Sequence, residues 1–154
     1  MLPSEHINNQ FELNCPEIRN KEINMTIELW CLFIAGLLHA LSKAPLVKAQ
    51  AQCAGGYDNK NPREQQAALS GWGKRALAGH QNQIESFPLF AAGVLVASVS
   101  DVTSSLVSIL AIAYVIARVL FLVLYIKNIA TIRSIAWAIG YLSSLALLCS
   151  PAWG

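Results

Sequence analysis

Arg75, Asn82, Glu85 and Ser86 share one side of a helix at about 100° per residue, and the residues after them, Phe87 to Val99, are almost all apolar or small. Polar groups so placed stand at or inside a membrane boundary, where ionisable side chains are costly and turn toward a protein interior or a water-filled cavity. His80 points well away from this seam. Pro88 lacks a backbone donor and is expected to kink the helix close to the seam, which membrane helices tolerate when neighbours satisfy the freed carbonyl. Further along, Tyr114, Arg118 and Tyr125 line one face of an otherwise apolar stretch. An arginine at that depth requires a partner, such as Glu85 or a bound anion. Arg133 and Ser134 complete the set. Arginine grips a carboxylate with a planar fork, glutamate holds an ammonium, and a thiolate beside Arg133 or the Ser134 hydroxyl is stabilised by the same charge effect that activates cysteines. These residue types suit a small, multiply charged anion; they equally suit a charge network that only fixes helix packing.

The elements that position these residues are membrane spans. The chain has 154 residues, of which 55% are hydrophobic and 13% charged, against about 25% charged in an average soluble domain. That shortfall, with its long apolar runs, implies an all-α integral membrane protein, a single four-helix bundle over residues 25–154. A net charge of +2 is too small to suggest nucleic acid as a partner; membrane lipid is the expected surround. Cys15, Cys31, Cys53 and Cys149 form no CxxC pair and have no histidine at metal spacing, so they read as packed or lipid-facing thiols and no metal site is expected.

Met1 to Asn24 is polar, lacks the basic start and apolar core of a signal peptide, and reads as a disordered tail or a misassigned start. The first span is expected over Ile27 to Val47, with Trp30 at one interface and His39, Ser42 and Lys43 toward the other end. Gln50 to Lys74 is a long hydrophilic connection in which GGYDNKNPRE reads as turn-forming and solvent-exposed; within it Pro62 opens a helix that joins the second span, Leu69 to Val99. Thr103 or Ser104 caps the third span, Leu106 to Ile126, and a connection over Lys127 to Arg133 leads to the fourth, Ile135 to Leu148. Gly36, Ala92, Gly93, Ala97, Ala113 and Gly140 permit close helix contacts. Lysines and arginines gather in the first and third connections and avoid the second, which places those two connections in the cytosol. Arg75, Asn82, Glu85, Arg118, Tyr125, Arg133 and Ser134 then occupy the cytoplasmic half of the bundle. Glutathione, with two carboxylates, an amine and a thiol, offers a partner for each of these groups.

The spacing Arg75-x4-His80-x-Asn82-x2-Glu85-x2-Pro88, followed by Arg118-x6-Tyr125 and Arg133-Ser134, resembles the MAPEG family, the membrane-associated proteins in eicosanoid and glutathione metabolism. The likeness covers about residues 25–150. It implies a four-helix bundle that assembles as a homotrimer, with glutathione held between neighbouring subunits near the cytosolic side of, here, a bacterial inner membrane. By the resemblance, Arg75, Asn82, Glu85, Arg118 and Tyr125 are the glutathione contacts. Arg133, with Ser134 beside it, is the arginine that stabilises the thiolate during transferase or peroxidase chemistry on lipophilic small-molecule electrophiles. Ala78 stands where the eukaryotic enzymes usually carry a further arginine, and Lys74 where several carry a glutamate. A catalytically silent binding or scaffold protein of the same fold is the alternative.

Overall fold

The computed structural model describes residues 24–102 and 104–153. The tail up to residue 23, with Cys15, and the Thr103 alternative for a helix cap lie outside them. Six helices follow one another: α1 (Ile27–Leu41), α2 (Lys43–Ala51), α3 (Pro62–Ala67), α4 (Gly71–Val99), α5 (Ser105–Ile126) and α6 (Ala130–Leu148). Four stretches are long and apolar enough to cross a membrane: α1 with α2, α4, α5 and α6. The first of them runs on to Ala51, beyond the expected end at Val47, because Pro45 falls in the first turn of α2, where its missing N–H costs least. At 29 residues, α4 is about 43 Å long and outreaches a hydrocarbon core of about 30 Å.

Two expected boundaries are corrected. Pro62 does open a helix, but α3 does not join α4. Gly71, the first residue of α4, takes a left-handed φ of +55°, a conformation open to glycine, and turns the chain where α4 begins. The fourth span begins at Ala130 rather than Ile135, so Arg133 and Ser134 lie inside the first turns of α6 and the connection shrinks to Lys127–Ile129. That connection is a Schellman turn: the Asn128 N–H bonds Tyr125 O at 3.1 Å and the Ile129 N–H bonds Leu124 O at 3.0 Å, with Asn128 at φ +62°. Asparagine tolerates this region, whereas a β-branched side chain clashes there. Asn128→Val is expected to lower stability by about 1–2 kcal/mol, read as a lower thermal midpoint in detergent. Asp101 plays the same part after α4, at φ +53° with Val102 N–H on Ala97 O.

The hydrophilic connection is ordered by glutamines. Gln65 Nε2 donates to Gly56 O at 2.7 Å and to Gln50 O at 3.2 Å, while its Oε1 accepts from the Asp58 N–H at 3.1 Å. Between the spans the core is small and tight: Cys31, Ala35, Phe90, Val94, Ala97, Ala111, Tyr114 and Leu147 pack together. Bulky side chains such as Leu37, Ile109, Ile116, Ile139 and Leu142 face outward. This inverted arrangement is stable only in lipid, where helices associate by close backbone approach rather than by escaping water. Gly93 shows the closeness: a Cβ there would lie 2.9 Å from Leu147 Cβ and 3.0 Å from Ser144 O. Among the small residues noted in the sequence, Gly93, Ala97 and Gly140 are buried, whereas Ala92 is exposed.

Candidate functional site

The start of α4, the end of α5 and the start of α6 lie at one end of the bundle, and the polar residues gather there. Arg118 is only 1% exposed. Its Nε donates to Gln83 Oε1 at 2.9 Å, and its Nη2 donates to Asn82 O at 3.1 Å and Asn82 Oδ1 at 3.0 Å. The guanidinium carbon stands 4.5 Å from the centroid of the Phe121 ring, a cation–π contact that adds to its hold. Room for its stem comes from Gly140 on α6, where a Cβ would be 3.3 Å from Arg118 Cδ.

The sequence leads one to expect either Glu85 or a bound anion as the partner of Arg118. In the structure the acceptors are amides and a backbone carbonyl, all neutral. Glu85 is exposed, and its Oε2 accepts from Asn82 Nδ2 at 3.4 Å. Asn82 therefore bridges the two ions, accepting from the arginine on one side and donating to the glutamate on the other. The reason is angular. The buried face of α4 carries Gly79, Gln83, Phe90, Val94 and Ala97, and it is centred roughly a quarter turn from the seam through Arg75, Asn82 and Glu85. The seam is thus the margin of the buried face, and Glu85 lies on its far side. Ser86, at the inner edge of the seam, reaches the Tyr114 hydroxyl at 3.1 Å, and Tyr114 stacks on Phe90 with centroids 3.7 Å apart.

Arg75 Nε donates to Ile126 O at 3.1 Å, satisfying one of the carbonyls that a helix end leaves open. Arg133 lies over the Tyr125 ring, 4.3 Å from its centroid, and Tyr125 meets Phe121 edge-on at 5.4 Å. Arg118, Phe121, Tyr125 and Arg133 consequently form a ladder of cation, ring, ring and cation along one side of α5 and onto α6. Ser134 does not join it. Its hydroxyl is exposed and donates to Ala130 O at 3.1 Å within its own helix.

His80 turns to α1 and α2, as its angle predicts. Its Nδ1 lies 2.8 Å from Ser42 Oγ, and that hydroxyl donates to His39 O at 2.7 Å, so the Nδ1 position carries the proton. His39 packs edge-on against Phe87 with centroids 5.7 Å apart. Cys31, Cys53 and Cys149 are free thiols.

Sequence reasoning missed Gln83 and Phe121, and singled out Gly140 only as a small residue that permits close helix contact. A glutamine beside an asparagine in a polar-headed helix looks like one more solvated amide, and nothing in a single sequence says which of two adjacent amides turns inward. For Phe121 the signal was available, since it stands three residues after Arg118 and four before Tyr125, on their helical face.

With this end of the bundle laid out, comparison with known proteins gives one match: a model of the MAPEG family covers residues 27–153. No curated protein and no solved structure matches the chain.

Proposed function

Since the chain belongs to the MAPEG family, membrane proteins of glutathione and eicosanoid metabolism, we propose that it is a glutathione-dependent transferase or peroxidase acting on lipophilic electrophiles. One observation carries this reading: a membrane-buried guanidinium, Arg118, is held rigidly by neutral acceptors alone. Burying a charge whose counter-charge, Glu85, stands off behind Asn82 is costly, and an anionic ligand removes much of that cost. The residues around it fit glutathione. Arg118 and Arg75 supply donors for carboxylates, and the exposed Glu85 carboxylate suits the ammonium. Arg133 and Tyr125 stand next along the ladder, where a cation and a phenol stabilise a thiolate.

Glutathione supplies a sulfur nucleophile when bound. The work of this chain is to hold and orient it beside the lipid phase, so that an electrophile dissolved in the bilayer meets a sulfur already deprotonated. Arg75 and Asn82 would hold the near end of the ligand, and the Arg133 guanidinium, stacked on Tyr125, would stabilise the thiolate. Glu85 is exposed and Arg133 half-buried at the margin of the bundle, so a ligand there has one side open. A second copy of the chain in a homotrimer closes that side. The charge pattern of the connections supports a cytoplasmic side for this end, and the resemblance adds the inner membrane of a bacterium as its setting.

Calorimetric titration of the detergent-purified protein with glutathione tests the reading. Saturable binding is expected, weakened about tenfold or more in both Arg133→Ala and Glu85→Gln. Arg133→Lys is expected to lower kcat more than it raises KM, since an ammonium keeps the charge but loses the fork and the stacking on Tyr125. A well-assembled protein that binds no glutathione sinks the proposal. That outcome favours a catalytically silent bundle, for which the packing role of Arg75 on Ile126 O is the supporting observation.

A further inference from the structure

We infer that Gln83 is the residue that keeps the Arg118 charge available to a ligand, and that its neutrality makes this buried site selective for a carboxylate. The inference rests on the glutathione reading above, of which it names the carboxylate-selecting element.

Gln83 is fully buried, at 0% exposure. Its Oε1 takes the Arg118 Nε–H at 2.9 Å, so it does for the guanidinium what a glutamate of the same length and shape would do, with one difference. A glutamate would form a buried ion pair and cancel the charge. The amide fixes the geometry and leaves the charge whole. The other acceptors of Arg118, Asn82 O and Oδ1, are equally neutral, and the nearby Glu85 is engaged by Asn82 Nδ2. The pattern is consistent on every side: Arg118 is positioned by dipoles and paired with no carboxylate among the described residues.

A second observation points to a ligand. Gln83 Nε2 is buried and has no hydrogen-bond partner among the described residues. A buried donor left unpaired costs free energy, and this one is on the amide that grips the arginine. A guanidinium hydrogen-bonded to neutral acceptors and an unsatisfied N–H side by side call for an oxyanion with at least two acceptor lone pairs, which a carboxylate has and an ammonium or an apolar tail lacks. Buried surroundings also amplify the attraction, since Coulomb energies grow as the dielectric falls.

Gln83 is therefore a positioning residue, and two substitutions of similar volume separate its charge from its shape. The full chain in detergent is measured in three ways: thermal midpoint without ligand, calorimetric titration with glutathione, and titration with glutarate as a bare carboxylate probe. Gln83→Glu is expected to keep or raise the thermal midpoint while weakening both ligands about tenfold or more, because the introduced carboxylate occupies Arg118 in their place. Gln83→Met is expected to lower the midpoint, since Arg118 Nε loses its acceptor, and to weaken binding only about threefold, by the one neutral hydrogen bond that the amide N–H would give the ligand, because the charge stays free. Stability and affinity thus move in opposite directions across the pair; a residue that only supports the fold would move them together.

Each outcome decides something. Glutathione binding by Gln83→Glu equal to that of the native chain, or failure of that variant to assemble, overturns the role of Gln83 and leaves the glutathione reading standing. Native binding of glutarate but not glutathione, lost in Gln83→Glu, upholds Gln83 and overturns glutathione. Native protein that binds neither overturns both.

Discussion

Arg118→Met is expected to lower stability by about 2–4 kcal/mol and to weaken glutathione binding about a hundredfold or more. The substitution removes three hydrogen bonds from a charged donor, each worth about 1.5–3 kcal/mol. It leaves the Gln83 amide, already unsatisfied at Nε2, with neither end paired in a buried setting. Against this stands the relief of a buried charge, which is why the net loss is smaller than the sum. Lysine at the same position keeps the charge but reaches only one of the acceptors, so Arg118→Lys should recover part of the affinity and little of the stability. Thermal midpoints and titrations in the same detergent measure both effects. Unchanged glutathione affinity in Arg118→Met would remove Arg118 from the ligand site and leave it a packing residue.

Gly93→Val should prevent assembly of the bundle altogether. The α4 and α6 backbones approach so closely that a single added Cβ falls 3.0 Å from Ser144 O and 3.1 Å from Leu148 N, main-chain atoms that cannot move without the whole helix. Valine adds two further carbons. Overpacking costs about 1–3 kcal/mol where side chains can yield; here helices must part, so the expected loss exceeds about 3 kcal/mol. Gly36 offers the control, because its nearest neighbour is a Phe87 ring carbon at 3.8 Å and Gly36→Ala should be silent. Size-exclusion chromatography in detergent reads both: aggregate or no protein for Gly93→Val, a native peak for Gly36→Ala. A native peak for Gly93→Val would mean that the α4–α6 contact is looser than the structure shows. Arg118 crosses from α5 toward Gly140 on α6, so any variant that parts these helices also opens the site.

The membrane character, the four spans and the family were legible in the sequence because each is a one-dimensional signal. A run of about twenty apolar residues is what crossing a hydrocarbon core demands, and it can be counted along the chain without knowing what packs where. Arg118 and Tyr125 stood out on the same ground, as polar groups inside a run that should hold none, and Asn82 as part of the polar head of the second span. Span ends were less legible: Gly71 and Asn128 set two of them through left-handed backbone, which composition only hints at.

What the tertiary structure alone decided was partnership. Arg75, Asn82 and Glu85 do share a side of α4, but which side is buried depends on where α5 and α6 lie, and the burial falls on Gln83 instead. A helix presents a side chain in every direction, and its own sequence does not say which direction faces a neighbour. Arg118 accordingly found two amides where Glu85 or a bound anion was expected, with Gly140, a residue of another helix, making the space for it.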